Sequence, residues 1–187
     1  DTYALIRATM IDMPWLAENM GIMRAMGSGF LTKAEAPPAG RATLAALLKR
    51  ARELEASMFR QLGRATSANP ELKAVLDGGA ASHRSAIEKT LALAEREVIA
   101  APELKFVAVD YFDEFTRTID GLFEFNALAM KTLVSTLEAR LQHARDIEML
   151  VVAVLVGGLA AALWLSLLFI RSISGPLNEA LTIANAV

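Results

Sequence analysis

The stretch Met149–Ile170, MLVVAVLVGGLAAALWLSLLFI, constrains this chain more than any other. It holds no ionisable residue. As a helix rising 1.5 Å per residue it covers roughly 33 Å, against a bilayer hydrocarbon core of about 30 Å. Trp164 lies near one end, where an interfacial aromatic belongs, and Arg171 closes the run. A secretory signal is too short and would lie at the other end of the chain. The expected division is therefore residues 1–148 before a transmembrane helix at 149–170, with residues 171–187 after it.

Composition excludes several function classes. The chain has no cysteine, which removes disulfides, thiolate metal sites and thiol nucleophiles. The formal net charge is −2, so nothing in the charge balance argues for a nucleic-acid partner. No β-branched alternating run lies between turn residues. Long segments with apolar residues three and four apart dominate instead, broken by Pro and Gly. The fold class expected is all-α.

Helix 1 is read over Thr2–Thr32, with a seam of Leu5, Ala8, Asp12, Trp15, Asn19, Ile22, Met26 and Phe30. The rest of this segment is also apolar, so it is expected to be covered on two sides, by its own bundle and by a second subunit. Ala17, Gly21, Ala25 and Ser28 form a stripe of small residues suited to that contact. Pro14 predicts a kink. Glu35–Gly40 is a turn. Helix 2 is read over Arg41–Ser67, with Lys49–Glu53 and Arg52–Glu55 as internal ion pairs. Asn69-Pro70-Glu71 is a helix start, with Asn as cap and Pro at the first position. Helix 3 then runs to Ile99, loosened at Gly78-Gly79, and ends at Ala101-Pro102.

Helix 4 is read from Glu103, with a seam through Ala108, Phe112, Phe115, Ile119, Leu122, Asn126, Ala129 and Leu133, unbroken into the apolar stretch. Residues 103–148 would rise roughly 69 Å, against about 40–45 Å for helices 2 and 3. Helix 1 is therefore expected to continue upstream of Asp1, from a preceding membrane helix. Four helices with short connections imply an antiparallel up-down-up-down bundle whose last helix enters the membrane.

After the apolar stretch come Arg171-Ser172-Ile173-Ser174-Gly175-Pro176-Leu177, then Leu181 and Ala184. This resembles the opening of a HAMP linker. The whole layout resembles the periplasmic four-helix-bundle sensor domain of bacterial methyl-accepting chemotaxis proteins. The resemblance implies a homodimer in the bacterial inner membrane, with residues 1–148 periplasmic and 171–187 cytoplasmic. Arg140 and Arg145 before the span do not favour that orientation; the HAMP resemblance decides it. HAMP linkers also serve histidine kinases and diguanylate cyclases. A membrane-anchored structural bundle without a ligand is the alternative from another class.

No catalytic constellation emerges. Bundle di-metal sites need Glu-x-x-His pairs, and neither His83 nor His143 has a Glu three residues before it. Both histidines are expected at the surface, and no metal, cofactor or enzymatic activity is expected. Arg7 and Arg24 have no acid three or four residues away in an apolar helix; Arg7 is read as a surface residue near the membrane, and Arg24 is the stronger candidate for a partner outside its helix. If residue 34 lies level with residue 103, Arg24 lies level with Asp113, close to Tyr111 and Arg117, and Asn19 lies level with Thr118. Asp12 would then match Phe125 and Asn126. Receptors of the resembled family bind ligands between helices 1 and 4 across the dimer, which implies a small anionic ligand here. The candidate ligand-binding residues are Arg24, Tyr111, Thr118, Arg117 and Asn19. Arg117 has Asp113 as a competing partner, and an Arg24 salt bridge to Asp113 or Glu114 is the alternative to a ligand carboxylate.

Overall fold

The computed structural model describes the backbone of residues 2–184 and the side chains of residues 2–139, 141–170 and 172. The side chains of the HAMP-like opening, Arg171 with Pro176, Leu177, Leu181 and Ala184, lie outside the described residues, as does that of Arg140. The described residues are helical or in short connections, with no strand. The chain divides into two units at Leu137/Glu138.

In the first unit four helical stretches pack around one core. The first is α1 (Thr2–Arg7), a π-helical turn (Ala8–Asp12) and α2 (Met13–Lys33). The second and third are α3 (Pro38–Ala68) and α4 (Pro70–Ala94), the latter extended by a second π-helical turn (Glu95–Ile99). The fourth is α5 (Ala108–Ala184), whose early part belongs to this unit. α3 packs against both α2 and α4. α5 closes the core with Tyr111, Phe115, Leu122, Phe125 and Ala129, all at or below 2% exposure. Met13, Met20, Met23 and Met58 are buried to the same degree, and their unbranched chains fill the gaps between helices of unequal side chains.

The π-helical turn lies just before Pro14, which occupies the first turn of α2. Proline supplies no N–H for the α ladder, and a wider turn accommodates that loss. A π turn also adds a residue per turn, so the buried face changes phase. Up to the end of the turn Leu5, Ala8 and Asp12 are buried, as read from the sequence; after it the buried residues are Met13, Leu16, Ala17, Asn19, Met20, Met23, Gly27 and Leu31, so of the later seam Asn19 stays buried. Trp15 and Ile22, read as core, are 58% and 40% exposed. The expected kink is thus a change of helical phase.

Other boundaries also moved. α3 starts at Pro38 rather than Arg41. The turn before it closes with Ala34 in the left-handed region at φ 50°, its N–H donating to the Leu31 carbonyl and that of Glu35 to the Phe30 carbonyl. Asn69 caps α4, its Oδ1 accepting from the N–H groups of Glu71 and Leu72 at 2.9 and 3.3 Å. α4 is continuous through Gly78-Gly79, where the sequence suggests a break or loosening. Gly79 is backed by the Phe125 ring, 3.4 Å from where a Cβ would stand, so packing holds the helix there. α5 starts at Ala108, five residues later than read. Residues 100–107 are non-helical, and they bury Ala101 and Leu104. The ion pairs read within helix 2 are also different: Arg50 meets Glu53 at 3.7 Å, while Arg52 reaches Glu95 and Glu55 meets Arg84.

Arg41 joins the two connections at this end of the unit. Its Nη1 donates to the carbonyls of Val98, Ile99 and Ala101 at 2.7, 3.1 and 2.6 Å, and its Nε to that of Ala36 at 3.3 Å. Val98 and Ile99 close a helix, where carbonyls lack ladder partners, and Ala36 and Ala101 lie in the two connections. The second unit, from Glu138, is the continuation of α5, and the described side chains of 141–170 are all exposed. By length and composition this helix can cross a membrane, with a mean hydropathy of 2.5 over its most apolar window.

Arg41→Ala leaves several carbonyls unmet and should destabilise the chain by about 2–3 kcal/mol in denaturant titration in detergent. Arg41→Lys should recover less than half, because one ammonium cannot serve both Ala36 and the Val98–Ala101 carbonyls.

Candidate ligand site

Arg24 projects from α2 toward α5, the side on which height matching placed its partners. Its Nη1 donates to Thr116 Oγ1 at 2.9 Å, and its guanidinium carbon lies 4.6 Å from the centroid of the Phe112 ring. Thr116 Oγ1 in turn donates to the Phe112 carbonyl at 2.9 Å. Among the described residues Arg24 has no carboxylate partner, and its buried Nε has no acceptor. The salt bridge to Asp113 or Glu114 is absent. Glu114 is occupied by Arg117 at 2.5 Å and Lys89 at 3.4 Å. A guanidinium carries five N–H donors, so Arg24 retains capacity for an acceptor that this chain does not supply.

Tyr111 lies one helical turn before Phe115, with ring centroids 4.7 Å apart, and is fully buried. Its hydroxyl donates to the Met23 carbonyl at 3.2 Å. Burial holds its phenol well above the ordinary value, so it stays protonated and serves as a donor. The ring occupies the space over Gly27, where a Cβ would collide with it. Tyr111 therefore positions α5 against α2, immediately beside Arg24.

The other three candidates point elsewhere. Thr118 is buried against α4, its Oγ1 2.8 Å from that of Thr90, rather than facing Asn19. Asn19 donates its Nδ2 to the Trp15 carbonyl one turn back, at 2.8 Å. Arg117 is exposed and paired with Glu114, not with Asp113. Asp12 faces α3: it accepts from Ser57 Oγ at 2.9 Å, while Asn126 Oδ1 is buried without a partner. Of the five candidates, then, only Arg24 and Tyr111 adjoin, and the side chains that complete the Arg24 surroundings are Phe112 and Thr116. Height matching had pointed to that segment of helix 4; the rotation of α5 that selects 112 and 116 over 113 depends on packing.

His83 was read as exposed. It is half-buried, its ring 4.9 Å from that of Phe125. Among the described residues no group of three His, Asp or Glu side chains is arranged to hold a metal ion.

Glu55 is the buried carboxylate of α3, 6% exposed. Burial raises its pKa above 4.5 and Glu88 adds to the rise, against the opposing pull of Arg84, 3.3 Å away, and of Arg52. A carboxyl whose folded pKa is raised costs stability as pH rises through that range, and costs none below its unfolded value. Glu55→Gln should therefore raise the melting temperature at about pH 7.5, with the gain disappearing near pH 4. Thermal melts of both proteins across that window check this.

No protein-family model, curated protein sequence or solved structure matches this chain.

Proposed function

We propose that this chain is the ligand-sensing input region of a dimeric transmembrane chemoreceptor, with α5 carrying the signal across the bilayer toward a HAMP linker. The observation that carries this reading is α5 itself. It begins with Tyr111 and Phe115 in the core beside Arg24, and it continues as one helix through the apolar residues 149–170. A displacement of α5 against α2 on ligand binding would travel along one continuous helix.

An antiparallel up-down-up-down arrangement is supported by the order of contacts. Asp12 meets Ser57 while Phe30 lies over Gly40. Thr90 meets Thr118 while His83 meets Phe125. In each pair one number rises as the other falls. A homodimer through helix 1 is favoured by the apolar strip that the π turn rotates outward, Ile11, Trp15 and Ile22, flanked by the open face of Gly21. Arg24 on α2 with its unmet Nε suits an anionic ligand, since guanidinium binds carboxylates through paired hydrogen bonds.

Residues 1–187 contain no cysteine, so single-cysteine mapping within them is direct. In intact cells producing the whole membrane protein, Ala42→Cys should react with an impermeant maleimide, and Ser174→Cys only after permeabilisation. Ala25→Cys should give disulfide-linked dimers. Protection of Ala42→Cys in intact cells would overturn the topology.

Arg24→Ala tests the ligand. In a thermal-shift screen of organic acids, amino acids and aromatic acids, the variant should lose about 2–5 kcal/mol of carboxylate binding. Its unliganded stability should fall by no more than the roughly 0.5–1 kcal/mol of stacking on Phe112. No saturable shift for any acid with the unsubstituted chain would support a structural bundle instead.

A further inference from the structure

A cavity of about 430 Å³ lies on another side of the first unit, between α4, the 100–107 connection and the first turns of α5. That volume falls among small-molecule sites. Its apolar lining is Leu93, 8% exposed, and Phe106, which the non-helical connection carries there. Its charged lining comes from both signs, and the signs are not equally satisfied. Lys89 and Arg117 share Glu114, and Arg96 lies 2.6 Å from Glu97. Asp110 and Asp113 line the same cavity without an ion pair among the described residues. They are three residues apart on α5, so their carboxylates project from one helix face.

We propose that this cavity binds an organic primary amine with a compact apolar body. The ammonium carries three donors and bridges Asp110 and Asp113. The body lies on Leu93 and Phe106, whose ring face attracts the adjacent positive charge. Lys89 and Arg117 set the limit on the other wall: a ligand with a second cationic end meets like charge there, so a monoamine is preferred over a diamine. Nothing in this site uses Arg24 or the α2–α5 contact, so a result here is independent of the anionic-ligand reading.

The test uses the full chain in detergent micelles with 2-(4-fluorophenyl)ethylamine, followed by fluorine NMR. Saturable binding is expected, displaced by 2-phenylethylamine and at least about 10-fold less well by 1,4-diaminobutane or 3-phenylpropionate. Asp110→Asn and Asp113→Asn should each weaken the amine about 10-fold or more, whereas Arg24→Ala should leave it unchanged. Both aspartates are exposed, and thermal melts establish that the variants fold. Lys89→Met, which removes a competing cation, should tighten binding and provides a second reading if an aspartate variant fails to fold. Absence of saturable binding overturns the proposal. So does binding indifferent to both asparagine variants, which is the signature of amine partitioned into micelles, or equal binding of 3-phenylpropionate.

Discussion

The end of the first unit where α3 and α5 begin is held together by one side chain. Arg41 has its Nη1 within 3.1 Å of three carbonyls at the close of the second π turn and its Nε on the carbonyl of Ala36. A helix end leaves carbonyls without ladder partners, and a guanidinium can answer several at once from a fixed fork. The 100–107 segment is thereby tied to the start of α3, with Leu104 buried and Phe106 against the core. From that anchored segment α5 departs at Ala108, and Tyr111 reaches the space over Gly27. The surroundings of Arg24 and the α4–α5 cavity both depend on where α5 starts.

The first π turn acts on the outer surface in a comparable way. Its extra residue carries the apolar face of the first helical stretch around the axis. Leu16, Met20 and Met23 move inward, and Trp15 and Ile22 move outward. A segment apolar on nearly every side thus divides its hydrophobic residues between its own core and an outer strip. Asp12, inside the turn, is buried and accepts from Ser57, so a polar contact fixes the phase where the ladder is irregular.

Charge distribution separates the two proposed binding regions. Glu114 lines the α4–α5 cavity and is shared by Lys89 and Arg117. Among the described residues Arg24 has no carboxylate partner on one side of α5, and Asp110 and Asp113 have no ion pair on another. One glutamate shared by two cations leaves Arg24 without a carboxylate on one face of the helix and the two aspartates without an ion pair on another, which is the basis for proposing ligands of opposite charge.

The sequence by itself determined the helical class, the cap at Asn69 and the apolar span at residues 149–170, because each rests on local periodicity, a local hydrogen bond or local transfer energy. It also placed Arg24 level with Asp113, within a turn of the Phe112 and Thr116 that it meets, since helical rise alone matches heights. Tertiary structure decided rotation and partners. No pattern of 3.6-residue spacing reveals an added residue at Ala8–Asp12, so Trp15 was read as core. Thr118 belongs to Thr90, and Glu55 to Arg84, because the rotation at which α4 meets α5 and α3 is set by packing of the shared core. The late start of α5 and the role of Arg41 are likewise invisible locally: both arise from carbonyls and apolar side chains roughly 60 residues apart in sequence, which only the folded core brings within hydrogen-bonding distance.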